Sequence, residues 1–304
     1  MSEAQSIQWF PGHMTRTKRQ IEKYLKQVDI VAEIVDARIP VSSRNPDLNR
    51  LIQNKPRIIL LNKSDMADAV ATKEWIAYYK QKNVKAIPVD CKSGKGMNAF
   101  QPTVKEVLAL QIEAWKRKGM IGRTIRVMVV GVPNVGKSSL INKLSHGSHA
   151  AVEDRPGVTR ANQWFPIGKG FDLLDTPGVL WPKFEDKIVG EHLAFTGAVK
   201  DDVVDTESLA ARLLEILCSL YPDAVRARYR LEGTDFTDLA GWQVLELIGK
   251  KRGMLIPGGE IDTERASIML LDEFRAGKIG KITLERTGGK YETAGQATNR
   301  LASL

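Results

Sequence analysis

The sequence predicts an α/β protein: a mostly parallel sheet with flanking helices, followed by a smaller all-α domain. Three observations predict it. Short apolar runs alternate with helical stretches from residue 30 to about 175. A Gly-rich turn follows the most strongly β-branched of these runs. After about residue 187, strand signals give way to helical periodicity. Strands alternating with helices favour a parallel sheet covered on both faces. A chain of 304 residues has room for roughly two domains. The division expected is residues 1–186, 187–290 and a polar tail at 291–304.

Each element has a local reason. Residues 14–28 carry Met14, Ile21, Leu25 and Val28 on one helical face, with Arg16, Lys18, Arg19 and Lys23 largely elsewhere. Residues 30–35 form an apolar run ending at Asp36, and 40–46 hold the Pro and Ser of a loop. A second buried strand is expected at 56–61. A helix over 70–82 turns Trp75, Ile76 and Tyr79 inward, and a third strand follows at 84–89. Then come a helix at 104–118, the β-branched strand at 124–130, a helix at 139–144 and a strand at 171–174. Helical periodicity returns at 208–220, 239–250 and 264–276.

Composition narrows the function classes. The chain is 43% apolar and 27% charged, values of a folded rather than a disordered protein. Cys91 and Cys218 are its two cysteines, without the spacing of a zinc knuckle, which argues against a disulfide scaffold. No run approaches the roughly 18 apolar residues of a membrane span. The first residues lack the pattern of a signal peptide, so a cytoplasmic protein is expected. Charge is uneven. Residues 1–199 hold 30 Lys and Arg against 19 Asp and Glu, whereas residues 200–304 hold 15 against 17. The basic first part is compatible with a polyanionic partner and equally with a solvated surface.

Residues 131–138, GVPNVGKS, match the phosphate-binding pattern GxxxxGK[ST], with a strand before and a helix after. Gly131 and Gly136 let backbone amides approach phosphate oxygens, and the helix N-terminus adds its dipole. Asn134, Val135, Gly136, Lys137, Ser138 and Ser139 are therefore the expected phosphate cradle. Lys137 neutralises the phosphates, and the Ser138 hydroxyl ligates Mg²⁺. Asp175-Thr176-Pro177-Gly178 lies 37 residues beyond Ser138, after a buried strand. Asp175 suits the Mg²⁺ surroundings through water, and the Gly178 amide suits the γ-phosphate. Thr159, between them, is placed as a second Mg²⁺ ligand on a switch loop.

Residues 62–65, NKSD, read as a base-recognition motif. The Asp65 carboxylate accepts two hydrogen bonds from the N1 and N2 edge of guanine, which adenine cannot donate. Asn62 and Lys63 accompany it. Cys91 and Lys92, after the third strand, are a loose match to a loop closing over the base. In ordinary GTPases the P-loop comes first and the base motif last. Here the base motif precedes the P-loop. Joining the old termini and opening the chain elsewhere would build the same sheet.

With that motif order, the sequence resembles the circularly permuted GTPases, and within them the ribosome biogenesis GTPase A (YlqF) family. Residues 9–14 (WFPGHM), 36–40 (DARIP) and Tyr221-Pro222 carry the closer resemblance. The resemblance covers nearly the whole chain. It implies a cytoplasmic GTPase acting late in assembly of the large (50S) ribosomal subunit, with an RNA-binding helical C-terminal domain. It also supplies two residue roles. No glutamine follows DTPG to orient water, since Val179 stands there. His13 is then the candidate for orienting or deprotonating the attacking water. Asn134 is the candidate for holding K⁺ beside the phosphates.

Arg226, Arg228, Arg230, Lys250, Lys251 and Arg252 are candidate rRNA phosphate contacts, although the last three equally suit a helix C-terminus. A monomer is expected. Three other readings stay open: a GTP-dependent RNA-binding module with little turnover, a permuted GTPase of the small subunit, and a P-loop ATPase. NKSD argues against the last.

Overall fold

We describe a computed structural model that defines residues 21–52, 55–145, 163–168, 170–176, 186–199, 201 and 204–288. Six strands form one sheet: β1 (Ile30–Asp36), β2 (Arg57–Asn62), β3 (Lys85–Pro88), β4 (Ile125–Val130), β5 (Gln163–Pro166) and β6 (Phe171–Asp175). Their order is β3-β2-β1-β4-β6-β5. All neighbours are parallel except β5, which runs antiparallel to β6. Every residue of β1 is buried, as a central strand covered on both faces requires. Its one carboxylate in mid-strand, Glu33, is held by the guanidinium of Arg44 at 3.0 and 2.9 Å.

Register decides where the site lies. Asp36 of β1 pairs with Asn62 of β2, and Val129 of β4 pairs with Asp175 of β6. The carboxyl ends of β1, β2, β4 and β6 therefore share one edge of the sheet. That edge is where parallel α/β sheets bind ligands.

Ten α-helices lie wholly within the described residues: α1 (Pro46–Ile52), α2 (Ala69–Gln81), α3 (Phe100–Val107), α4 (Ala109–Arg117), α5 (Lys137–Leu144), α6 (Lys187–Phe195), α7 (Thr206–Leu220), α8 (Pro222–Tyr229), α9 (Gly241–Lys251) and α10 (Thr263–Arg275). Asp68, Asp186, Asp205 and Asp262 cap α2, α6, α7 and α10 by accepting backbone N–H bonds. Trp75 and Tyr79 of α2 are buried, and Ile76 is half-buried. No helix of the described residues is long and apolar enough to cross a membrane.

The structure corrects several element boundaries. The helix expected at 104–118 starts at Phe100, because Pro102 sits in the first turn, where no N–H is needed. It also divides at Leu108, whose ψ of 9° leaves the helical range. The third strand is four residues, not six. Helices α1, α6 and α8 and strand β5 were not expected. α1 and α8 both begin at a proline, which the sequence reads as a turn but which is also favoured at a first helical position. The N-terminal helix is described only from residue 21, with Ile21, Leu25 and Val28 buried. Met14 and the basic residues before it lie outside the described residues, as does the tail from 291.

The C-terminal helices form their own packing group, α7 against α9 and α10. One contiguous apolar cluster nevertheless runs from Ile30, Val127 and Leu173 of the sheet to Leu213, Leu270 and Phe274 of these helices. Residues 279–286 then return to the first part of the chain. Ile282 N–H donates to Met66 O, Leu284 N–H to Arg38 O, and Trp75 Nε1 to Glu285 O.

Candidate nucleotide site

The loop from Gly131 to Gly136 leaves β4 and enters α5 at the ligand-binding edge. Two glycines are required by contact. A Cβ on Gly131 would lie 2.6 Å from Ile34 O. One on Gly136, at φ 106°, would lie 2.3 Å from Asn62 Nδ2. Lys137, buried at the first position of α5, donates to Val132 O at 2.9 Å and Gly131 O at 3.2 Å. Burial pushes its ammonium down to about 8, while nearby Asp175 pulls the other way. The lysine is thus held inside the loop at some electrostatic cost, which an anion there would relieve. Ser138 and Ser139 follow in the first turn, half-buried. Asp175 is buried at the end of β6, and the hydroxyl of the next residue, Thr176, donates to Val129 O at 2.7 Å.

The base-side residues come to the same edge. The Asn62 amide donates to Val135 O at 2.7 Å and accepts from Cys91 N–H at 3.0 Å. One side chain therefore ties the base motif to the P-loop and to the loop after β3. Cys91 is buried, and burial raises its thiol well above the usual range. Its backbone N–H makes the contact with Asn62. Lys92 and Ser93 donate backbone N–H to Asp90, which fixes that loop and lowers the Asp90 carboxyl despite its partial burial. Asp65, three residues beyond Asn62, is exposed.

Sequence reasoning missed two ties. Lys63, at φ 59°, places its ammonium 3.0 Å from Asp36 Oδ2. Asp36 in turn holds Arg38. Asn134, at φ 56°, donates to Gly197 O at 2.7 Å, just beyond α6. The Asp-x-Arg spacing at a strand end was the available signal for the first. The second joins residues 63 apart and left none.

His13, Thr159 and Gly178 lie outside the described residues. The RNA candidates divide. Arg226 bonds Asp223 and Thr234 O and lies over Phe236. Arg228 forks onto Glu273, and Arg252 lies over Tyr229 with Glu273 at 3.7 Å. These three make contacts within the protein, and Arg252 is also exposed. Arg230, Lys250 and Lys251 are exposed.

A family model described as "50S ribosome-binding GTPase" matches residues 126–216, from β4 into α7. Ribosome biogenesis GTPase A of Bacillus cereus is 47% identical over 279 residues, covering 92% of this chain and 93% of the relative. The chain belongs to the ribosome biogenesis GTPase A family. The member from Thermotoga maritima is 33% identical, covering 92% and 94%. The crystal structure of GNP-bound YlqF from T. maritima matches with a TM-score of 0.62 at 28% identity, over 89% of this chain and 98% of that one. Membership makes the protein a GTPase of ribosome assembly.

Proposed function

We propose that this protein is a GTP-driven switch acting late in assembly of the large ribosomal subunit. GTP and water are converted to GDP and phosphate, and the particle stimulates that turnover. The observation that carries the reading is the joining of the P-loop and the base motif to the C-terminal helices, through Asn134–Gly197 and through the Arg38 contacts with α10. A protein so built lets the state of the nucleotide alter the placement of its helical part.

The residue roles follow the chemistry. Backbone amides of residues 134–139 and Lys137 hold the phosphates, with Thr159 and Gly178 closing on the γ-phosphate. Asp65 reads the guanine edge, Asn62 and Lys63 fix its loop, and the Cys91 and Lys92 backbone covers the base. The residues suit Mg²⁺: the Ser138 hydroxyl and Thr159 would ligate it, and the buried Asp175 carboxylate would hold it through water. Bound there, it would neutralise charge on the phosphates. K⁺ would fall to the carbonyl of the Asn134 amide, whose nitrogen is engaged by Gly197. His13 orients the water. Lys250, Lys251 and Arg230 contact rRNA, and the protein acts as a cytoplasmic monomer.

The test is phosphate release from GTP in K⁺ buffer, with purified large or small subunits added separately. Stimulation by the large subunit alone supports the proposal. Equal stimulation by the small subunit, or turnover indifferent to both, overturns it.

A further inference from the structure

We propose that Asp36 and Arg38 are positioning residues for guanine-nucleotide binding, acting through Lys63 and anchored on the C-terminal end of α10. The inference rests on the reading of Lys63 as part of the base site.

The geometry is a continuous chain of charged hydrogen bonds. Lys63 Nζ lies 3.0 Å from Asp36 Oδ2. Arg38 grips the same carboxylate with both arms of its fork, Nη2 to Oδ2 at 2.8 Å and Nε to Oδ1 at 2.9 Å, and its backbone N–H adds a third bond at 3.0 Å. The remaining nitrogen, Nη1, donates to Phe274 O at 3.0 Å and Arg275 O at 3.3 Å, the last carbonyls of α10. The guanidinium also lies 5.1 Å from the centre of the Phe274 ring. Asp36 and Arg38 are both buried, and Arg38 is 1% exposed. Burial opposes the charge on Asp36, but Arg38 and Lys63 outweigh it and hold the carboxyl far below its ordinary range. The carboxylate is therefore a permanent anion fixed in place.

Lysine is a flexible point charge. A fixed anion at its tip selects one rotamer and so reduces the ordering needed when nucleotide binds. Arg38 makes that selection depend on α10. Its fork satisfies carbonyls that a helix end otherwise leaves open, so its orientation follows the helix. The same helix end also meets the phosphate side. Arg275 donates to Ala194 O and Phe195 O, beside the Gly197 that receives Asn134. A single helix terminus thus touches both halves of the site.

The experiment measures fluorescent GDP-analogue affinity and melting temperature in the full-length protein, for Arg38→Lys, Lys63→Met and the double variant. Each single change should weaken binding about tenfold, the scale of one charged hydrogen bond. The double variant should be no weaker than Lys63→Met, because Arg38 acts through that residue. Arg38→Lys that lowers the melting temperature but leaves affinity unchanged overturns the proposal. So does a double variant weakened about a hundredfold, the product of the two. Should Arg38→Lys not fold, the near-isosteric Asp36→Asn takes its place: it removes the anion beside Lys63, and GDP affinity equal to wild type there overturns the proposal. Wild-type protein that does not bind the analogue overturns the base-site reading along with this inference. Wild-type binding that weakens in Lys63→Met but not in Arg38→Lys overturns this inference alone.

Discussion

Lys137 shows how a binding residue is prepared before its ligand arrives. Its ammonium is buried among loop carbonyls, with a proton affinity brought down to about 8. Phosphates restore the charge, so nucleotide binding above that pH must take up a proton. The sign is definite. Below about pH 7 the lysine is already charged, and this group adds no pH dependence. Above pH 8 the GDP dissociation constant should rise, approaching tenfold per pH unit. At pH 8.5, calorimetry in two buffers of different ionisation enthalpy should show net proton uptake on binding, and Lys137→Met should abolish it. Gly136 makes a steric case at the same loop. Gly136→Ala adds a methyl 2.3 Å from the Asn62 amide, at a φ that alanine resists. We expect a melting temperature lowered by the equivalent of about 1–3 kcal/mol, with loss of GDP binding from the broken Asn62–Val135 bond.

At the scale of elements, local patterns were legible and distant partnerships were not. The strand, glycine turn and helix of the P-loop lie within about 20 consecutive residues, so composition and order sufficed. Asn62 and Asp65 were legible because a base motif is four residues long. The buried Glu285 was not, since it sits in a polar stretch that reads as surface. Its partners are 244, 243 and 93 residues away. Its carboxylate accepts from Val41 N–H, Ser42 N–H and the Ser42 hydroxyl, with His192 Nδ1 at 2.9 Å. This one side chain fixes the returning segment 279–286 to the turn after β1 and to α6. Glu285→Ala would leave those donors buried without their acceptor. It should destabilise the fold by about 3–5 kcal/mol, against about 1–3 for Glu285→Gln, which keeps an acceptor. Urea titration of both variants checks the ranking, and a Glu285→Ala cost under 1 kcal/mol would show that the segment is held chiefly by its apolar contacts.

The whole molecule poses the question of how many cooperative units it contains. The change in texture near residue 187 suggests two, and the C-terminal helices do pack on one another. The contacts between the two parts argue for one. The apolar cluster passes from the sheet into α7 and α10 without a break. Buried hydrogen bonds donated by Arg38, Trp75 and Ser42, the last accepted by Glu285, also cross between them. Separating the parts would expose that cluster and strand these polar groups together. Scanning calorimetry should therefore give one transition whose van't Hoff and calorimetric enthalpies agree. Guanine nucleotide sharpens the test, because the proposed site lies in the first part. At a hundredfold excess over its dissociation constant, GDP should stabilise the protein by about 2.7 kcal/mol, a rise of roughly 3–6 °C. In a single unit the whole transition moves by that amount. If a second peak stays in place while the first moves, the C-terminal helices unfold on their own, and the bonds through Arg38 are too weak to join them to the nucleotide site.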